Sequence, residues 1–178
     1  MRTLNILGEI DDKLIKETLE KIFEFEKEDN KIIEDNKKLV NKSEHKKLED
    51  IIININTGGG ICSGFNAICD SLKNLKCKKI TRGFGWIASC GLWLFLIGDE
   101  RIAGEGTEFL YHQMSYGLRG DIRHHKDYAE YNTRIDNKMM EYVINRTKIT
   151  KEMLDKYETR DWWFEYDEAV ELGVVTKR

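Results

Sequence analysis

Three residues of this sequence have the chemistry of a nucleophilic relay: Ser89, His112 and Asp161. A serine hydroxyl attacks only when a base takes its proton; an imidazole does that near neutral pH, and a carboxylate fixes the imidazole tautomer. Ser89 sits in the apolar run 83–98, GFGWIASCGLWLFLIG, within a chain that is 34% charged. A hydroxyl in such a run needs a reason. If the apolar helix of residues 92–97 begins near Ser89, its free N–H groups and dipole surround the hydroxyl and favour a negative oxygen. Helix capping is the other use of a serine there. Taken singly, His112 equally suits a satisfied core histidine, and Asp161 an ion-pairing carboxylate. The order Ser, His, Asp, with Ile87 in place of the first glycine of G-x-S-x-G, is not that of an α/β-hydrolase.

A second constellation is the turn Thr57-Gly58-Gly59-Gly60. Glycines let the backbone approach a ligand and aim N–H groups at an anion. The turn lacks the Lys-Ser/Thr of a P-loop, and Ser63 stands where a dinucleotide fingerprint has its third glycine. An oxyanion hole is the alternative use. Metal binding finds no support: Cys62, Cys69, Cys77 and Cys90 form no CxxC pair, and His124 and His125, adjacent on a helix, point about 100° apart.

The elements that must carry these residues follow from periodicity. Residues 3–7 predict a strand, closed by Gly8, and Asp11 or Asp12 caps a helix with Leu14, Ile15, Leu19, Ile22 and Phe23 on one face. The charged segment at about 26–49 predicts a solvated helix extension and loop. Residues 50–56, DIIININ, have the β-branched character of a central parallel strand, followed by the glycine turn, a helix from about Ser63, and a strand at 78–84. Two short strands at 100–103 and 108–113 then bring His112 to a strand end. A long charged helix at about 121–146 carries Tyr128, Tyr131, Ile135, Met139 and Tyr142 at helical spacing, beyond the reach of the earlier units. Thr150 caps a shorter helix to Tyr157, and a last helix at 167–172 ends on Gly173. Alternating strands and helices define an α/β layered fold in one domain, 1–178.

A net charge of −3 gives no footprint for nucleic acid or an acidic membrane surface. No apolar window of eighteen residues spans a bilayer, and the opening MRTLNILGEIDDK is not a secretory signal. The expectation is therefore a cytoplasmic protein with free thiols.

The blocks INTGGG (55–60), GWIASCGLWLFLIG (85–98), FLYHQ (109–113) and TRDWWFEYDEAVELGVV (159–175), with ILGEID and GLRGDI, resemble in order and spacing the Clp protease proteolytic subunits, ClpP. The resemblance covers nearly the whole chain outside about 26–49. It implies a crotonase-like fold of spiral ββα repeats with a protruding handle helix, and a serine endopeptidase hydrolysing peptide bonds inside an oligomeric chamber. On it, Ser89 is the nucleophile, His112 the general base and Asp161 the orienting acid, while the amides of Cys90 and of Gly60 or Gly59 are the oxyanion donors. It also implies a homo-oligomer built as a heptameric ring or double ring, a peptide or unfolded-protein substrate, and a partner AAA+ unfoldase. No cofactor is expected in this chain, since ATP would be used by that partner. GLRG would be the edge that receives extended substrate.

The sequence departs from the family at TGGG where SPGG is usual, at Met114 where proline is common, and at Thr159 where an acid serves ring contact. The chain also starts almost at the first strand, so the expectation is peptidase chemistry ahead of unfoldase docking. A crotonase-like CoA enzyme and a non-catalytic ring subunit are the alternatives, with a Ser-Lys signal-peptide peptidase weaker than both.

Overall fold

β2 (Ile51–Thr57) lies between β1 (Arg2–Leu7) and β3 (Lys79–Ala88), all parallel, and Ile51, Ile53 and Ile55 lose all contact with solvent. Ile52 and Ile53 are buried on opposite faces, as in a strand covered on both, but from Ile53 onward the pattern alternates, with Asn54 half-buried and Asn56 exposed. The computed structural model describes residues 2–177, and the ends of the expected domain at Met1 and Arg178 lie outside the described residues.

β3 shares one edge between two strands. β4 (Glu100–Ala103) runs parallel beside Ile80–Gly83, and β5 (Glu108–Tyr111) parallel beside Trp86–Ala88. The Thr107 hydroxyl and the Gly104 amide both donate to Gly83 O where one strand gives way to the next. β6 (Trp162–Phe164) then closes the far edge, antiparallel to β5. The result is a mixed sheet in the order β1-β2-β3-β5-β6, the crotonase-like arrangement expected from the motifs. β6 is absent from the sequence reading, because three residues are too few to show an alternation.

α1 (Asp12–Lys38) is capped by Asp11, whose carboxylate accepts from Leu14 N at 2.8 Å. The helix runs well into the charged segment, and a short 3-10 turn (Lys42–Glu44) follows. Phe23, expected on the buried stripe, is exposed, whereas Phe25 is buried. Phe25 is covered by the Arg2 guanidinium 5.0 Å from its ring, and Arg2 also pairs with buried Asp29 at 2.7 Å. α2 (Cys62–Asn74) crosses α1 closely enough that a Cβ on Gly64 would strike Ile15.

α3 (Cys90–Leu96) is buried at all seven positions. Phe95 meets Phe109 edge-on at 5.6 Å, and Phe109 stacks on Phe164 at 5.4 Å, joining α3 to β5 and β6 in one core. α4 (Ile122–Arg146), capped by Asp121, divides in two. Its C-terminal half packs on α3 through Met139 and Val143, and the Trp93 indole donates to Met139 O at 3.1 Å. The expectation that the whole stripe lies beyond the core therefore holds only for the first half, where Ile122, Tyr128 and Tyr131 are exposed.

α5 (Lys151–Asp155) follows its Thr150 cap, and α6 (Tyr166–Glu171) ends at Gly173 with φ +70. Among the described residues, no helix is long and apolar enough to cross a membrane.

Candidate active site

Ser89 belongs to the sheet through its N–H and to a helix through its C=O. The N–H donates to Leu110 O at 3.1 Å, continuing the β3–β5 ladder, while the carbonyl accepts from Leu92 N at 2.9 Å as the first bond of α3. Passing from strand to helix in one residue forces φ 55, ψ −131, the only positive φ outside glycine among the described residues. Backbone strain of this kind costs on the order of 1–3 kcal/mol and persists where surrounding structure imposes it, often at functional sites. The Ser89 hydroxyl makes no capping bond. Capping, the alternative use for this serine, is thus not the one seen.

The glycine turn lies against the serine. A Cβ on Gly59 would come within 2.6 Å of Ser89 Cβ, and the position has φ +104. Gly59 O accepts from Ile10 N and Ile61 N donates to Ile10 O, so both of these groups face the β1 side. In extended chain the polar groups of successive residues alternate in direction. Those of Gly60 accordingly face the β3 side, where the Cys90 thiol donates to Gly60 O at 3.6 Å. The Gly59 amide is engaged with Thr57 Oγ1 at 3.0 Å. The amides of Gly60 and of Cys90, the latter in the first turn of α3, have no acceptor among the described residues. Thr57, the first residue of the turn, thereby also holds it, and a threonine two residues before a glycine amide is a known turn signal.

His112 and Asp161 meet at the other boundary. β5 and β6 pair as Phe109–Phe164, Leu110–Trp163 and Tyr111–Trp162, and the next pair in that register is His112 with Asp161. Ala88 pairs with Leu110, so Ser89 stands beside Tyr111 at the same end of β3. Ser89, His112 and Asp161 therefore emerge from the same end of three neighbouring strands, though they lie far apart in sequence. Ser89 and His112 are half-buried and Asp161 is exposed. Among the described residues none of the three side chains is hydrogen-bonded to another. Residues 117–120, the GLRG expected to offer a strand edge, form no strand, nor do residues 113–116 before them.

Burial pushes the Cys90 thiol up to about 12, and Cys62 beside it adds to the effect. Among the described residues, no group of His, Cys, Asp and Glu is arranged to hold a metal ion.

Comparison with known proteins bears on this geometry. A family model described as Clp protease matches residues 20–177. The ATP-dependent Clp protease proteolytic subunit 3 of Rhizobium johnstonii is 30% identical over 131 residues, which is 72% of this chain and 68% of the relative. Subunit 1 of Streptomyces coelicolor is 33% identical over 129 residues, 71% of this chain and 59% of that protein. Subunit 2 of Pseudomonas aeruginosa is 28% identical over 131 residues, 72% of this chain and 65% of that protein. The family match and the relatives' names as protease proteolytic subunits define a hydrolase of the serine-endopeptidase class. The chain belongs to the Clp protease family.

Proposed function

We propose that Ser89 Oγ attacks the scissile carbonyl carbon while His112 takes its proton, forming a tetrahedral intermediate whose oxyanion accepts from the Gly60 and Cys90 amides. Asp161 holds the imidazole and stabilises its cation. Collapse of the intermediate breaks the C–N bond as His112 protonates the leaving amine. Water, deprotonated by the same imidazole, then releases the acyl group from Ser89. The observation that carries the reading is the common register of β3, β5 and β6, which delivers the three residues to one end of the sheet, with Ser89 held at positive φ. Between the two glycine amides, the engagement of Gly59 N–H by Thr57 favours Gly60.

The chain works as a homo-oligomer, a heptameric ring or double ring, in which the exposed half of α4 packs on a second copy and residues 113–120 gain a strand partner. Assembly brings the three side chains into hydrogen-bond reach. Its substrates are peptides or unfolded polypeptides, delivered in the latter case by a Clp-type ATPase; the relatives are named as proteolytic subunits of an ATP-dependent protease. Its compartment is the cytoplasm, and it carries no cofactor of its own.

The test is labelling of the purified protein by a fluorophosphonate, with cleavage of a fluorogenic peptide. Ser89→Ala is expected to abolish labelling and to lower cleavage by roughly 10⁴-fold or more. Labelling that survives the substitution overturns the assignment.

A further inference from the structure

Thr57, the last residue of β2, is 2% exposed and touches both the glycine turn and the first turn of α3. Its hydroxyl acts on the glycine turn. Oγ1 accepts from Gly59 N at 3.0 Å and donates to Gly59 O at 3.4 Å, an oxygen to which Ile10 N also donates at 2.8 Å. Gly59 is buried and Gly60 exposed, so of the two amides that of Gly59 is the one needing an internal acceptor. The peptide joining them is planar and trans. Holding Gly59 O on one side therefore turns Gly60 N–H to the other, the β3 side on which Cys90 lies.

The methyl of the same side chain acts on α3. A Cβ on Gly91 would lie 2.4 Å from Thr57 Cγ2, so the helix rests on that methyl with only a hydrogen between them. Gly91 directly follows Cys90, whose amide is the second donor of the proposed oxyanion hole. A serine at position 57 would supply the first contact and a valine the second. Threonine supplies both, and its stiff χ1 holds them at a fixed angle to each other.

We infer that Thr57 is a positioning residue for peptide-bond hydrolysis, holding the Gly60 and Cys90 amides at the direction and spacing that one oxyanion requires. The inference rests on the peptidase reading, which supplies the oxyanion. Buried as it is, Thr57 does not reach substrate, so its effect falls on the transition state and not on substrate binding. Donors fixed in advance stabilise developing charge without reorganising, and a misplacement of about 1 Å costs roughly 10²-fold in rate.

The experiment measures kcat and KM on one fluorogenic peptide, together with Tm and the affinity of the matching peptide aldehyde. The aldehyde carbonyl adds Ser89 Oγ and places its oxygen where the oxyanion forms. Thr57→Val keeps the methyl and strands Gly59 N–H; kcat and aldehyde affinity are each expected to fall by roughly 10²-fold with KM nearly constant. Thr57→Ser keeps the hydroxyl and is expected to recover most of that loss. Gly91→Ala, whose methyl would meet Thr57 Cγ2, is expected to lower kcat likewise, and adding Thr57→Ser is expected to relieve it. A Thr57→Val protein that loses Tm alone, keeping kcat and aldehyde affinity, overturns the positioning role. A Gly91→Ala defect that Thr57→Ser leaves unrelieved overturns it too, and this pair decides the question should the valine variant fail to fold. Where the parent labels at Ser89 with the fluorophosphonate, either outcome leaves the peptidase standing; a parent that neither labels nor cleaves overturns the peptidase, and the positioning role with it.

Discussion

Gly59 and Ser89 touch so closely that the Cα hydrogen of one occupies the space any side chain would take from the other: a Cβ on Gly59 would lie 2.6 Å from Ser89 Cβ and 3.0 Å from its Oγ. Gly59→Ala is therefore expected to displace the serine and place alanine at φ +104, at a stability cost of about 1–3 kcal/mol. Fluorophosphonate labelling should fall far more than the change in Tm explains. Normal labelling in a folded variant would show that this approach is not needed.

Cys90, adjacent to Ser89, offers the competing assignment of the nucleophile. Its thiol, pushed up to about 12, stays protonated from pH 6 to 9, so it neither attacks a peptide nor alkylates readily. Iodoacetamide at pH 8 should leave peptidase activity intact and Cys90 unmodified by mass spectrometry, and Cys90→Ala should still label at Ser89. Inactivation in step with Cys90 modification would transfer the nucleophile to the thiol.

Much of this arrangement is legible in the sequence. The isoleucine run at 51–55, the glycine turn and the helix after it announce a βα unit, and Asp121 and Thr150 cap the helices that follow them. The features that escaped it are set by distant partners. Phe25 is buried instead of Phe23 because Arg2, on another element, covers it. β6 exists because β5 pairs with it, and Asn132 is enclosed although it is polar and mid-helix. Ser89's positive φ comes from belonging to a ladder and a helix at once, which no local propensity encodes.

Among the described residues, buried Arg101 has no carboxylate partner. Its guanidinium donates to four carbonyls, those of Val174 at 2.7 Å, Gly173 at 2.7 Å, Arg146 at 3.0 Å and Gly98 at 3.3 Å. It ties the end of α4 and the C-terminal tail to β4. Arg101→Met strands these acceptors and is expected to cost about 3 kcal/mol, read from urea unfolding. Arg101→Lys should recover only part, since an ammonium cannot span the fork. A variant as stable as the parent would refute the anchoring role.

The exposed half of α4 carries an aromatic cluster, in which Tyr128 lies 5.4 Å from Tyr116 and 6.0 Å from Tyr131. If a second copy covers this half, Ile122→Asp with Tyr131→Asp should lower the native mass measured by light scattering and reduce cleavage, while leaving the circular dichroism of the subunit unchanged. An unaltered mass would move the contact elsewhere.

β5 is four residues long, and it is the only strand between the serine's strand and the acid's. It runs with one neighbour and against the other, so travel along its own axis alters both gaps in a single stroke. Because Leu110 O also holds the Ser89 N–H, such travel would be felt at the serine's own junction as well as at His112 and Asp161.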